Sequence, residues 1–267
     1  MDSHLKKRPI LFKMKEQERQ LIRFAKRLTA NMIHARVETK VAMVTDIDDT
    51  IAPRRLAYIA GEDTRSSIHY KCVGDLHRCV FERYRVPLVA VSTFPQSLVT
   101  HSKRVAVRRI LDKDGINIAD EDVFVVGGIL RHSLQAVSSA IGKLLGIASL
   151  VNYNRTSKDK LKSLALYRAA LDLVLSHFES AAFVVFFGDN GQGDVEAGVA
   201  ALTYGYVDLC LIHKVSDRAP VIHSGLFYFD DYRHAISILQ KLVRNGEAPR
   251  SLGSVLDKVC SRVQTPM

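Results

Sequence analysis

The sequence lacks long apolar runs and paired cysteines, and each absence excludes a class of protein. No apolar stretch approaches the roughly eighteen residues that a membrane-spanning helix needs, and the nearest one, 181–187, is typical of a buried strand. Cys72, Cys79, Cys210 and Cys260 form no CxxC pair, which argues against a zinc site and for a reducing compartment. The first residues are charged rather than apolar, so we expect no secretory signal and a cytoplasmic protein.

The remaining composition is that of a folded protein. Hydrophobic residues make up 47% and charged residues 25% of the 267 positions, which excludes a disordered chain. The length fits one large α/β domain with at most a modest appendage. No internal repeat or low-complexity linker interrupts it.

Positive charge is concentrated at one end of the chain. The net charge is +10, and residues 1–40 contain eleven Lys or Arg against four Asp or Glu, 11 − 4 = +7. Apolar residues at Leu21, Ala25, Leu28 and Met32 predict an amphipathic helix, which more often docks on its own domain than on a membrane. We interpret 1–40 as a basic helical extension that either binds an anionic surface, making the protein peripheral to a membrane, or only aids solubility. Nucleic acid is the less favoured partner, because this segment has no aromatic-basic interleaving.

Short apolar runs alternate with helical patterns over 41–245. The predicted strands are 41–44, 88–91, 123–126, 183–187 and 209–212, and the predicted helices are 97–111, 132–147, 158–178, 193–203 and 231–244. This alternation predicts a doubly wound α/β domain with a mainly parallel sheet covered on both faces. We expect the tail, 246–267, to be peripheral.

Acidic or hydroxyl residues follow three of the predicted strands. Asp46 and Asp48 come after the first, Ser92 and Thr93 after the second, and Asp189 after the fourth. In open parallel sheets the active site forms beyond the carboxyl ends of the strands. Each residue alone could be a helix cap or a turn, but together they predict a site.

These residue types suit phosphoryl transfer through a covalent intermediate. Asp46 would be the nucleophile, and Asp48 would protonate the leaving oxygen and then deprotonate water. Asp46, the carbonyl of Asp48 and Asp189 would bind Mg²⁺, which prefers oxygen ligands. Asp194 would hold a metal-bound water or support a ligand. Ser92 would donate to the phosphate, and a lysine would neutralise it.

Three segments resemble motifs I, II and IV of the haloacid dehalogenase (HAD) superfamily, and more narrowly the catalytic domain of the phosphatidate phosphatase family. They are DIDDTI at 46–51, VSTFPQSL at 91–98 and FGDNGQGD at 187–194. The resemblance spans roughly 40–240, and its last segment is the most specific. It implies a Rossmann-like three-layer sandwich, Mg²⁺ dependence and phosphomonoester hydrolysis, with Asp46 as nucleophile and Asp48 as acid/base.

The lysine of motif III has three candidates on one predicted helix, Lys158, Lys160 and Lys162. Lys160, followed by Leu161, best resembles the family's pattern. With Ser92 and Thr93 it would bind the phosphate.

The spacing between motifs leaves no room for a large cap domain. Only 92 − 46 = 46 residues separate Asp46 from Ser92, so 54–77 is at most a lid-like loop. An open site suits a bulky substrate, and the leading hypothesis is a phosphatidate phosphatase-like lipid phosphatase. The alternatives are a HAD phosphatase for a soluble phosphomonoester, a phosphoprotein or a nucleic-acid end, and a non-catalytic module that binds Mg²⁺ or an anion.

Overall fold

The computed structural model describes residues 22–32, 39–46, 49–51, 70, 72–91, 153–191 and 193–264. Its strands are β1 (Lys40–Asp46), β2 (Val89–Val91), β3 (Ala182–Asp189), β4 (Leu209–His213) and β5 (Leu226–Phe229). Its helices are α1 (22–32), α2 (Val73–Tyr84), α3 (Tyr153–Ser176), α4 (Asp194–Thr203), α5 (Tyr232–Asn245) and α6 (Ser251–Gln264). None of these helices has the length and apolarity required to cross a membrane.

The five strands form one parallel sheet in the order β2-β1-β3-β4-β5. Every residue of β1 is buried, because a central parallel strand is covered by helices on both faces and has no side that faces water. The predicted α/β class and parallel sheet are confirmed, and the architecture is compatible with a Rossmann-like fold.

Successive side chains of β3 point to opposite faces of the sheet. On one face, a Cβ at Gly198 of α4 would lie 3.8 Å from Phe186, so α4 packs closely there, together with α3. On the other face, the ring of Phe187 lies 6.0 Å from that of Tyr232 in α5 and 5.9 Å from that of His77 in α2. Helix α6 packs against α2 and α5. The sheet is therefore the middle of three layers.

Helix α1 buries its apolar stripe within the protein. Phe24, Leu28 and Met32 are at most 3% exposed, and the ring of Phe24 lies 5.2 Å from that of Tyr167 in α3. Ile22, at the start of the helix, is 47% exposed. The apolar face of the basic helix is thus used for docking on its own domain, which is the more common outcome for such a pattern.

The expectation that the chain after Gly246 is peripheral is wrong. Helix α6 buries Leu252, Leu256 and Val259 completely, and it packs along α2. The hydroxyl group of Tyr84 donates a hydrogen bond of 2.9 Å to Ser251 Oγ at its start. The heptad-like spacing of these apolar residues is a helical signal.

Besides α6, two elements were not predicted. Strand β5 is only four residues long, although Gly225 before it and Asp230 after it are typical strand boundaries. Helix α2 overlaps the segment that was predicted to be a lid-like loop, since residues 73–77 form its first turns. The rest of that lid, apart from Tyr70 and Cys72, lies outside the described residues. The predicted elements at 97–111, 123–126 and 132–147 also lie outside the described residues. The absence of a large cap domain therefore stays a prediction.

A buried histidine makes the stability of this fold sensitive to acid. Neither ring nitrogen of His77 has a hydrogen-bond partner among the described residues, and burial lowers its pKa from 6.5 to about 4. The unfolded chain therefore binds a proton more readily than the folded one between these values. The free energy of unfolding should be intact above pH 6.5 and should fall as the pH drops, with a slope approaching about 1.4 kcal/mol per pH unit.

Replacing His77 by Leu should remove this slope, as measured by urea unfolding between pH 5 and pH 7. His177→Leu is the matched control, because His177 is exposed and its loss should leave the slope unchanged. Equal slopes in the wild type and in His77→Leu would contradict this assignment.

Candidate functional site

The candidate site lies where the order of the strands reverses. From β1 the chain passes to β2 on one side of the sheet and then returns to β3 on the other side of β1. In open α/β sheets, ligands bind beyond the carboxyl ends of the strands at such a switch point. Asp46 is the last residue of β1 and Asp189 is the last residue of β3. The two carboxylates predicted from the sequence are therefore brought to the same edge.

Asp194, at the start of α4, completes a buried triad with Asp46 and Asp189. The three residues are 3%, 0% and 0% exposed. Each contributes one carboxylate oxygen, and these oxygens lie within 4.8 Å of one another, close enough to hold a metal ion. Asp194 is thus a direct member of the cluster as well as a support for the others.

Lys160 is the lysine that the fold brings to this triad. It is 1% exposed, and its Nζ lies 3.0 Å from Asp46 Oδ1 and also contacts Asp194 Oδ1. Burial lowers the pKa of the amine, but the nearby carboxylates outweigh it and raise the pKa above its usual value. The carboxylates of the cluster thus favour the ammonium form of Lys160. Lys158 and Lys162 are exposed. Each lies two positions from Lys160 along the helix, so both project from the opposite side of the helix.

Gly188 allows Asp194 to reach the cluster. A Cβ at Gly188 would lie 2.6 Å from Asp194 Cβ and 2.8 Å from its Oδ2, distances that no side chain tolerates. The space is filled by the Asp194 carboxylate, whose Oδ2 accepts a hydrogen bond of 3.0 Å from the backbone N–H of Asp189. Gly193, just before α4, has φ 82°, a left-handed conformation that suits glycine. The glycines of 188–193 thus do more than form a turn.

Asp189 has an oxygen available for a ligand. Its Oδ1 accepts a hydrogen bond of 2.5 Å from the backbone N–H of Gly191. Its Oδ2 is buried and has no hydrogen-bond partner among the described residues. Burial raises the pKa of this carboxyl group well above its usual value, and the charges of Asp194 and Asp46 raise it further. The structure thus leaves a buried acceptor that a cation would satisfy.

The charges of the cluster also favour a cation. With all three carboxylates ionised, the three acids and one ammonium group give −3 + 1 = −2 in a buried site. Uncompensated buried charge is costly, and a divalent ion would balance it. The donor set consists only of oxygen atoms, which hard cations such as Mg²⁺ prefer. The residues present therefore fit the metal that the sequence predicts.

The sequence analysis did not predict His213, Asn190 and Tyr70 as residues of this edge. The carbonyl of His213, the last residue of β4, accepts a hydrogen bond of 3.0 Å from the N–H of Asn190. Its ring nitrogen Nδ1 lies 2.7 Å from the carbonyl oxygen of Asp49, in the loop after β1. Tyr70 packs edge-on against the His213 ring, and burial, followed by the charges of Asp49 and Asp189, raises its pKa to about 12. The signal for His213 was its position at a strand end.

Asp48, Ser92 and Thr93, which were predicted as site residues, lie outside the described residues. No protein-family model, no curated protein and no solved structure matches the chain.

Adding a methyl group at Gly188 should destroy the cation site. Gly188→Ala should displace the Asp194 carboxylate, because the new Cβ would overlap it. We expect that the rise in melting temperature on adding Mg²⁺ to the wild type is lost in this variant. Gly253→Ala in α6 is the matched control, since a Cβ there meets only Val243 at an ordinary 3.4 Å. A normal Mg²⁺ shift in Gly188→Ala would contradict the geometry.

Removing the ammonium group should destabilise the metal-free fold. Lys160→Met leaves the buried carboxylates of Asp46 and Asp194 facing each other without compensation, which should cost about 3–5 kcal/mol in urea unfolding with EDTA present. Lys162→Met, an exposed lysine of the same helix, should change stability by no more than about 0.5 kcal/mol. Equal losses in the two variants would show that the ion pair contributes nothing particular.

Proposed function

We propose that the protein is a Mg²⁺-dependent phosphomonoester hydrolase that transfers the phosphoryl group of its substrate to Asp46. The observation that carries this proposal is the contact of Lys160 with both Asp46 and Asp194 at the switch point of the sheet. An ammonium group in contact with a carboxylate favours its ionised form, which is the charge state that a nucleophile requires.

Asp46 and Asp189 would hold the Mg²⁺ ion, with Asp194 supporting both. Bound there, the ion would neutralise phosphate charge as the transferred group develops it. Both carboxylate oxygens of Asp194 already have a partner within the protein. One contacts Lys160, and the other accepts a hydrogen bond from the N–H of Asp189. This pattern supports a role in orienting the other members.

Lys160 and Asp46 would perform the first chemical step together. The Asp46 carboxylate forms a bond to phosphorus while the bond from phosphorus to the leaving oxygen breaks. The ammonium group of Lys160, 3.0 Å from Asp46 Oδ1, would orient the nucleophile and stabilise the charge on the phosphoryl oxygens. Electrostatic stabilisation of this kind is the largest contribution to phosphoryl transfer.

Asp48 is the proposed proton carrier. It would donate a proton to the leaving alcohol in the first step. In the second step it would accept a proton from water as water attacks phosphorus and the bond to Asp46 breaks. Ser92 and Thr93 would donate hydrogen bonds to the phosphate oxygens, as the resemblance to HAD phosphatases implies.

The proposed substrate is a phosphomonoester on a lipid, with phosphatidate as the example that the resemblance implies. Its hydrolysis would give diacylglycerol and phosphate. The positive net charge of the chain, +10, is consistent with an anionic surface as the place of action.

Asp46→Asn should abolish hydrolysis. The amide is a poor nucleophile and cannot carry the phosphoryl group, so kcat should fall by about 10³-fold or more. The assay is phosphate release from p-nitrophenyl phosphate and from phosphatidate vesicles, each with Mg²⁺ and with EDTA. Asp172→Asn, at an exposed carboxylate of α3, is the matched control and should retain full activity.

Two outcomes would overturn the proposal. Activity retained in Asp46→Asn would exclude Asp46 as the nucleophile. Mg²⁺ binding by the wild type without turnover of either substrate would favour a non-catalytic binding module instead.

A further inference from the structure

The three residues that follow Asp48 each have a backbone carbonyl group that is bound from elsewhere in the fold. We call these residues, 49–51, the β1 turn. The donors are His213 Nδ1 to Asp49 at 2.7 Å, the Tyr232 hydroxyl group to Thr50 at 3.0 Å and the N–H of Tyr70 to Ile51 at 3.0 Å. The turn is therefore bonded to β4, to the first residue of α5 and to the segment before α2.

Two features distinguish the β1 turn from an ordinary turn, whose carbonyl groups are bonded locally. Two of its donors are side chains, and they lie 164 and 182 residues away along the chain. Asp49 has φ 60°, a left-handed conformation that is uncommon outside glycine and persists where surrounding contacts impose it. The conformation of the turn therefore depends on distant parts of the fold.

The two side-chain donors are themselves held by aromatic packing. His213 is 5% exposed and Tyr232 is 1% exposed. The ring of Phe229 in β5 lies 5.0 Å from that of His213 and 5.3 Å from that of Tyr232. The Tyr232 ring also stacks on that of Phe187 in β3 at 6.0 Å. Rings packed in this way have a single orientation, so their donor atoms have fixed positions.

Both donors carry the proton that these bonds require. A carbonyl oxygen only accepts, so we assign the N–H of His213 to Nδ1. This nitrogen makes the shorter of the two carbonyl contacts of the ring, since Nε2 lies 3.2 Å from the carbonyl oxygen of Asp230. Burial raises the pKa of Tyr232 above its usual value, so its hydroxyl group keeps its proton near neutral pH. Both bonds are therefore present under ordinary assay conditions.

The β1 turn lies beside the carboxylate cluster. His213 pairs with Asp189 in the sheet, and Asp46 ends β1. The chain from Asp46 to Asp49 is thus fixed at both ends, by the sheet and by the bonds of the turn. Only two residues separate these ends, and one of them is the proposed acid/base, Asp48. Since two residues of chain have few paths between two fixed ends, the bonds to the turn restrict the place from which Asp48 acts.

We propose that His213 and Tyr232 are positioning residues, which hold the β1 turn so that Asp48 reaches the leaving oxygen of the substrate. This inference rests on the function proposed above, because it concerns the proton that Asp48 donates in the first step. Neither side chain is a catalytic residue in this account, since each acts through a carbonyl group of the turn. A general acid contributes only when it is correctly placed, so loss of either bond should weaken proton transfer.

Tyr232→Phe is the sharpest test, because it removes one hydroxyl group and leaves the ring in place. Its kcat/KM should fall about tenfold for phenyl phosphate, whose leaving oxygen needs a proton. The fall should be no more than about twofold for p-nitrophenyl phosphate, whose leaving group departs readily without one. A general loss of folded enzyme would lower the two values equally. Equal falls, or no fall for phenyl phosphate, would overturn the proposal.

Tyr84→Phe is the matched control. Tyr84 is also fully buried, and its hydroxyl group also donates one hydrogen bond, to Ser251 Oγ of α6. The loss of that bond should lower the melting temperature without changing the ratio of the two kcat/KM values. A ratio that changes equally in Tyr84→Phe and Tyr232→Phe would show that it responds to stability alone, and the proposal would be wrong.

Two variants test His213. His213→Leu removes the donor to Asp49, whereas His213→Asn offers an amide N–H close to the place of Nδ1. His213→Leu should lose about tenfold in kcat/KM for phenyl phosphate, and His213→Asn should recover most of this loss. Equal losses in the two variants would exclude the bond from Nδ1 as the cause and overturn the role of His213.

Hydrogen exchange separates failure of this inference from failure of the phosphatase. The backbone amides of the peptide 46–51 should exchange faster in Tyr232→Phe than in the wild type, whereas Tyr84→Phe should leave their exchange unchanged. Unchanged exchange in Tyr232→Phe would overturn the proposal even in an active enzyme. Faster exchange in that variant, with no hydrolysis of either ester by the wild type, would retain the bonds to the turn but remove the phosphatase, and with it the positioning role.

Discussion

The candidate site depends on the buried ion pairs of Lys160 with Asp46 and Asp194. Asp46 ends β1, Asp194 begins α4 and Lys160 lies in the second turn of α3, so these contacts join three elements behind the edge of the sheet. A buried ion pair is weak evidence for stability, since removing both charges is often harmless. Removing one partner alone is costly, because it leaves a buried charge uncompensated. The charge balance of the buried carboxylates therefore depends on Lys160.

With all three carboxylates ionised, the cluster would carry a charge of −2 despite its ion pairs, and this excess of negative charge bears on what the site can bind. A fold that buried three carboxylates with one lysine for structural reasons alone would be poorly balanced. Asp189 shows the consequence, because burial and its two acidic neighbours raise its pKa. A divalent cation would compensate the same charge that a proton otherwise compensates. The buried triad could therefore hold a cation, and phosphoryl transfer, the function proposed above, uses a cation beside a carboxylate.

The sheet and two of its acidic residues could be predicted from the sequence. Strands that are buried on both faces are recognisable as apolar runs, and Asp46 and Asp189 end two of these strands. The choice of Lys160 among three lysines could not be derived from spacing, because only the packing of α3 determines which lysine is buried. His213 was missed because histidine at a strand end has many structural uses. The tail was misjudged because the turn at Gly246 suggested an end to the fold, whereas α6 continues it with a buried apolar face.

The central claim is that Asp46 carries the phosphoryl group during turnover. Acid quenching of the enzyme as it hydrolyses p-nitrophenyl phosphate with Mg²⁺, followed by borohydride reduction and peptide mass spectrometry, tests this most directly. Reduction of an aspartyl-phosphate yields homoserine, so the account predicts homoserine at position 46 and unchanged aspartate at positions 189 and 194. An active enzyme in which Asp46 stays unmodified, or in which another carboxylate is reduced in its place, would contradict the account.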